Sequence, residues 1–308
     1  MTQHWTALFS GQGQQFLGMG QDLYAQEPMY RETVQLAEET TGIRLTDPAV
    51  WDDPAHIPVA IVTLSLGLFR VLRQDMPLPQ GALGLSLGEY SALAASGMLP
   101  LAATFPLVRD RAEYMNAAGG ANPGVMAAVL RSNATMVDEA CQQAFRVGPV
   151  YPANYNTPGQ TVIGGAPAGV AEATRLLKAQ GIKRIVPLKI TVASHTPFMA
   201  PASDQLARRL TDVTFQAGQF PVWSNTTVTP FAVDTVPEVL TQQLVSPTHF
   251  GADLQASQAA GQTPVVEIGP GTALTKFASK TVPGIVAWHV DSVDTLNALR
   301  KNWSELNG

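Results

Sequence analysis

The sequence predicts an α/β fold: a helix-covered parallel sheet, interrupted once by a smaller sheet of its own. Three observations carry this expectation. Short apolar runs of strand length, such as Thr6–Phe9 and Pro264–Ile268, alternate with longer segments of helical periodicity. Gly84-Leu85-Ser86-Leu87-Gly88 sits where one apolar run gives way to a helical one, the pattern of a serine on a sharp strand-to-helix turn. Residues 124–189 follow a separate βαββαβ rhythm.

In chain order, Thr6-Ala7-Leu8-Phe9 reads as the first strand, closed by Ser10-Gly11-Gln12-Gly13. Residues 29–41 are helical in pattern but polar, which predicts a surface helix. Pro58 suits the first turn of a helix through Leu72, with Ile61, Leu64, Leu68 and Leu72 on its apolar face. Gly81–Leu85 is a short buried strand, Glu89–Ala95 the helix after the turn, and residues 100–117 a further helix. Then come strand Gly124–Leu130, helix 133–145 with Asn133 as its cap, and strands Val150–Tyr155 and Thr161–Ile163 about a Pro158-Gly159 turn. Helix 167–180 ends at Gly181, and Ile182–Leu188 is the last strand of this unit. The order is ferredoxin-like, so residues 124–189 are expected to form a small subdomain inserted into a larger body of residues 1–123 and 190–308. That body resumes at 191. Its strands are Phe220–Trp223 and Pro264–Ile268, and a Gly269-Pro270-Gly271 turn leads into a helix at 272–279. With the serine turn, this describes a hydrolase-like α/β core with a nucleophile elbow.

Composition narrows the function. The chain has 308 residues, 45% apolar and 14% charged, with a net charge of −5. A broad nucleic-acid surface does not suit that charge. The single cysteine, Cys141, excludes an intrachain disulfide, fits a reducing cytoplasm, and reads as helix packing. No run reaches the ~18 apolar residues of a membrane span. Ile57–Phe69 comes nearest, but is too short and contains Thr63 and Ser65. The N-terminus lacks the basic start and apolar stretch of a secretory signal.

Ser86 at a helix N-terminus would face free backbone N–H groups, which favour a developing negative charge. A serine hydroxyl near neutral pH needs a base. His195, in Val192-Ala193-Ser194-His195-Thr196-Pro197, stands where the small subdomain rejoins the body, a seam where clefts form. Its alternative is a capping or solvated histidine, and His249 is the rival base. His4 and His56 fall in polar segments, and His289 ends an apolar strand. The N–H of Leu87 is a natural oxyanion donor, and the loop Gly11-Gln12-Gly13-Gln14-Gln15 can bring a second. Arg111 shares a helical face with Leu107 and Met115, which points it toward apolar surroundings, while Arg109 lies off that face and can pair with Glu113.

Five segments in this order resemble the malonyl-CoA:acyl carrier protein transacylases of bacterial fatty-acid synthesis. They are Ser10–Gln15, Gly84–Tyr90, Asn154–Gln160, Ser194–Met199 and Glu267–Gly271, spread over residues 5 to 290. The resemblance implies a ping-pong Ser–His acyltransferase, with Ser86 as nucleophile and His195 as base. It also implies oxyanion donors at the backbone N–H groups of Gln12 and Leu87. Arg111 and Gln243 fall at its substrate-side positions. Arg111 would grip the free malonyl carboxylate, its alternative being a buried structural ion pair. Gln243 falls where a main-chain carbonyl, rather than an acid, orients the histidine. Malonyl-CoA is then a substrate, and neither a cofactor nor a metal is expected, since a departing thiolate needs no Lewis acid. The implied partner is an acidic acyl carrier protein. Lys183, Arg184 and Lys189, or Lys276 and Lys280, would supply a basic patch for it unless they are simply solvated.

The chain departs from that family at Leu85, where histidine is usual, and at Ser246-Pro247-Thr248-His249-Phe250. Three other readings stay open. The same chemistry could serve a malonate decarboxylase or a polyketide pathway. A serine hydrolase would release the acyl group to water, although no convincing acid lies between Ser86 and His195. A non-catalytic carrier-binding module would form no acyl-enzyme.

Overall fold

A computed structural model describes residues 4–51, 53–190, 192–259, 261 and 263–307. The expected body limits at 1 and 308, and its resumption at 191, lie outside them. The first half of the chain runs β1 (Thr6–Phe9), α1 (Gln21–Gln26), α2 (Pro28–Thr41), α3 (Ile57–Asp75), β2 (Gly81–Gly84), α4 (Gly88–Ser96) and α5 (Leu101–Ala121). Next come β3 (Val125–Leu130), α6 (Ala134–Ala144), β4 (Val150–Thr157), β5 (Gln160–Gly165), α7 (Pro167–Ala179) and β6 (Arg184–Pro187). The remainder is α8 (Ala200–Leu210), β7 (Val222–Trp223), α9 (Val236–Gln243), α10 (Phe250–Ser257), β8 (Val265–Ile268), α11 (Ala273–Thr281), β9 (Ala287–Val290) and α12 (Val293–Asn307).

The fold is α/β. Five parallel strands lie in the order β7-β2-β1-β8-β9. β1 is central, with Phe9 level with both Gly84 of β2 and Ile268 of β8. Ala7, Phe9, Ala82, Val266 and Ile268 enter one core, while Leu8, Leu83 and Val265 enter the core on the opposite face. Both faces are buried, which is why these strands are mostly apolar instead of alternating regularly with polar residues.

One expectation about the helices is refined and one changes. α2 is a surface helix with one buried stripe: Tyr30, Val34 and Ala37 face the core, while Glu32, Gln35 and Glu39 are exposed. α3 extends beyond Phe69 to 19 residues, so by length and composition it is long enough to cross a membrane. In the fold it is a core helix, with 72% of its apolar window buried. Arg70 and Arg73 close its C-terminal turns on the outer side, Arg70 donating to Thr33 Oγ1 at 2.7 Å.

The second sheet is antiparallel, in the order β4-β5-β3-β6, and its elements follow one another as βαββαβ. Ala127 and Val129 of β3 pack under α6 and α7, while Met126 and Ala128 face the other side, the two-residue period of a strand. Asn133 caps α6, its Oδ1 accepting from Met136 N at 2.9 Å. Thr157 pairs with Gln160, so Pro158-Gly159 is a two-residue hairpin turn. Cys141 is buried in this core, and burial pushes its thiol up to about 12, in keeping with packing rather than chemistry. The segment after α9 ties the small sheet to the large one. Thr248 accepts from Tyr155 N at 2.7 Å and donates to Ala153 O at 2.9 Å.

Candidate active site

The C-terminal ends of β1, β2 and β7 lie side by side, so the loops that follow them converge. Crevices in parallel sheets form at these ends. Ser86 lies two residues past β2, at φ 54°. Non-glycine residues rarely adopt that left-handed conformation, and here it turns the chain sharply into α4. The flanking glycines permit the turn by close approach. A Cβ at Gly84 would stand 2.0 Å from the Gly88 carbonyl carbon, and one at Gly88 would stand 2.1 Å from Phe9 O. Leu87 is the N-cap of α4. Gly88, Glu89 and Tyr90 donate back to Leu85, Ser86 and Leu87, so the Leu87 N–H stands ahead of the helical ladder. The 11–13 loop abuts the turn: a Cβ on Gly11 would lie 2.6 Å from Leu85 O. Gln14 anchors that loop, its Oε1 accepting from Thr272 N at 2.8 Å.

His195 also has a left-handed backbone, at φ 60°. Thr196 steadies its loop, donating to Ala193 O at 2.6 Å and accepting from Phe198 N. His195 Nε2 lies 2.8 Å from Ser86 Oγ, and its Nδ1 lies 2.8 Å from the main-chain oxygen of Gln243. A carbonyl only accepts, so Nδ1 carries the proton and Nε2 is left to accept from the serine. The ring is buried, and burial lowers its pKa to about 4. The Gln243 carbonyl raises it, and the Arg111 charge lowers it further. The ring is therefore neutral at pH 7, the state a base requires.

Arg111 is 1% exposed. Its Nη2 donates to Ser86 Oγ at 3.3 Å and to Gln243 Oε1 at 3.2 Å, and its guanidinium lies 5.3 Å from the Tyr90 ring centroid. Among the described residues it forms no salt bridge, which sets aside the structural ion pair. Among the described residues its Nε has no hydrogen-bond partner. Gln243 Nε2 donates to Ser86 O at 3.1 Å and to Glu89 Oε2.

Ser86, His195, Arg111 and Gln243 thus meet at one point, with Leu87 and the Gln12 loop beside it. His249, the rival base, stacks on Tyr155 with centroids 5.0 Å apart, and its backbone N–H donates to Asn225 O. Arg109 pairs with Asp110 at 2.8 Å and with Thr41 O, not with Glu113. Leu85 packs against the apolar cluster of Leu8, Leu83, Phe250 and Leu254.

Sequence reasoning gave no role to Glu89, Asn225 or Asp253, which form a buried layer beneath the turn. Asn225 Oδ1 accepts from Ser86 N at 3.0 Å, its Nδ2 donates to Asp253 Oδ2 at 2.8 Å, and its own N–H donates to Glu89 Oε1. Burial pushes the Glu89 carboxyl up to about 8, against the pull of the Asn225 and Gln243 donors and Arg111. Each Glu89 oxygen accepts an N–H, the bonding pattern of a carboxylate. Burial likewise raises Asp253 to about 8. The available signals were a lone carboxylate in the otherwise uncharged α4, and an asparagine just past β7 at the C-terminal edge of the sheet.

The acyl transferase domain family matches residues 6–305. A malonyl CoA-acyl carrier protein transacylase of Bacillus subtilis is 33% identical over 308 residues, covering 97% of each chain. An MCAT structure from Streptococcus pneumoniae superposes with a TM-score of 0.93 at 38% identity, covering 97% of this chain and 99% of that one. A malonyl-transacylase solved in complex with its type II PKS acyl carrier protein has a TM-score of 0.92 at 30% identity, covering 97% and 99%. The chain belongs to the acyl transferase domain family and, within it, to the group of these malonyl CoA-acyl carrier protein transacylases.

Proposed function

We propose that this chain transfers the malonyl group of malonyl-CoA to the pantetheine thiol of an acyl carrier protein, through a malonyl ester on Ser86. The observation that carries this reading is the relay from Ser86 Oγ through His195 to the Gln243 carbonyl, with the Arg111 cation 3.3 Å from the same oxygen. Ser86 Oγ attacks the thioester carbonyl as its proton passes to His195 Nε2. The oxyanion takes hydrogen bonds from the backbone N–H groups of Gln12 and Leu87. Collapse expels the coenzyme A sulfur, which takes the proton from His195. In the second half His195 accepts the proton of the carrier thiol, the thiolate attacks the ester carbonyl, and Ser86 Oγ leaves with that proton. Arg111 binds the free malonyl carboxylate, which favours malonyl over acetyl.

The chemistry asks for no cofactor or metal, because a thioester is activated and its leaving group is stable as a thiolate. We read residues 1–123 and 190–308 as a hydrolase-like catalytic body and 124–189 as an inserted ferredoxin-like subdomain. The strand order β4-β5-β3-β6 supports the second label. A cytoplasmic setting follows from this reading. Intact-mass analysis after mixing with malonyl-CoA should find one malonyl group on Ser86, discharged by a fatty-acid acyl carrier protein. Discharge only to a polyketide carrier protein would move the acceptor to that pathway, and discharge to water alone would make the protein a hydrolase.

A further inference from the structure

Gln243 has one amide oxygen and one amide NH2, and its neighbours admit a single orientation. On the NH2 side stand Glu89 Oε2 and Ser86 O. On the oxygen side stands Arg111 Nη2, 3.2 Å away. Carboxylates and carbonyls accept, whereas guanidinium only donates. Flipping the amide would set oxygen against oxygen on one side and N–H against N–H on the other. Glu89 itself is fixed, since its other oxygen takes the N–H of Asn225. Asn225 in turn is held by Ser86 N and Asp253. Glu89, Asn225, Gln243 and Asp253 are all 0% exposed, so bulk solvent does not relieve a mismatch.

We infer that Glu89 is a positioning residue for acyl-group selectivity: through the Gln243 amide it holds Arg111 in the orientation that receives a carboxylate-bearing acyl group. The inference rests on the reading of Arg111 as the carboxylate clamp. It separates two functions of Gln243. The carbonyl that orients His195 is main chain at the end of α9 and stays in place when the side-chain amide turns. The amide oxygen that holds Arg111 depends on Glu89. Loss of the Glu89 acceptor therefore degrades recognition of the acyl carboxylate more than it degrades the base.

Glu89→Gln tests this. The Asn225 N–H retains the new amide oxygen, so the new NH2 faces Gln243, whose amide must turn and present its own NH2 to Arg111. The ratio of kcat/KM for Ser86 acylation by malonyl-CoA to that by acetyl-CoA should fall about 10- to 100-fold, the equivalent of one hydrogen bond to a charged group. Gln243→Met removes the amide but keeps the volume and the carbonyl, and should lower the same ratio by a similar factor. It carries the test if Glu89→Gln does not fold. Equal losses for both acyl groups, or an unchanged ratio in the folded variant, overturn the inference. Arg111→Ala is measured alongside. If it leaves the ratio unchanged, the clamp reading itself is wrong. If it lowers the ratio while Glu89→Gln does not, the clamp stands and the role of Glu89 falls.

Discussion

Ser86 and His195 are 109 residues apart in sequence, yet their side chains meet at 2.8 Å, and each has a left-handed backbone, at φ 54° and 60°. Such a conformation costs an L-residue roughly 1–2 kcal/mol. Both are held by surrounding bonds: Ser86 by Asn225 Oδ1 and Gln243 Nε2, His195 by Gln243 O. Both ends of the relay are thus positioned before substrate arrives.

This pairing predicts distinct failures for its two members. Ser86→Ala should give no covalent adduct with malonyl-CoA by intact mass. His195→Ala should still acylate, at a rate reduced by about 10²- to 10⁴-fold, the usual range for loss of a general base. Rapid-quench measurement of the adduct checks both, and a malonylated Ser86→Ala protein would exclude Ser86 as nucleophile.

Arg111→Ala should lower acylation by malonyl-CoA roughly 100-fold, since two charge-assisted hydrogen bonds to the substrate carboxylate are lost. Acylation by acetyl-CoA, which has no such carboxylate, should fall at least about tenfold less by the same principle. Parallel kcat/KM determinations with the two thioesters decide it. Lys at position 111 should restore only part of the preference, because an ammonium lacks the planar fork.

His195 makes stability depend on pH in a defined direction. Its folded-state pKa of about 4 lies below the ordinary 6.5, so its contribution is full above pH 6.5 and is lost as pH falls toward 4. The size is about 3 kcal/mol across that window. Urea unfolding of the wild type and of His195→Asn at pH 7, 5.5 and 4 should show the wild type losing stability relative to the variant. Asp253, raised by burial to about 8, acts in the opposite sense, losing stability as pH rises toward 8, but both proteins carry it. A constant difference between the two proteins would show that His195 is not buried as a neutral ring.

Gly88→Ala places a methyl 2.1 Å from Phe9 O, against backbone of the central strand that cannot rotate away. Overpacking of this kind costs about 1–3 kcal/mol. The variant should unfold at lower urea and acylate more slowly, because the strain falls on the turn that carries Ser86. Wild-type acylation in this variant would mean that the turn tolerates a wider approach between α4 and β1.

Much of this site was legible before any coordinates. The strands of the large sheet are mostly apolar, broken by Glu267 in β8 and His289 in β9, and the elements of the small sheet are marked off by Asn133, Pro158-Gly159 and Gly181, residues whose local chemistry marks an end. Ser86 and Leu87 follow from the glycine spacing. Arg111 was pointed to by the family resemblance, and its place on the Leu107–Met115 face agreed with a charge directed at apolar surroundings. The reach of α2 and α3 was not legible, because burial depends on what packs against a helix as well as on its own pattern. Glu89, Asn225 and Asp253 were silent because each has an ordinary local setting, and their meaning lies in one another.

The sequence alone determined the elements from β1 through β6 other than α1, the strand and turn around Gly269, and the residue types able to do the chemistry, since strand and helix periods, turn residues and the glycine pair are local properties of the chain. Only the tertiary structure decided which histidine serves Ser86, which way the Gln243 amide points and what holds Arg111. Those choices are set by hydrogen bonds between groups 25 to 157 residues apart. Buried donors and acceptors must all be matched at once, and no local pattern encodes that condition.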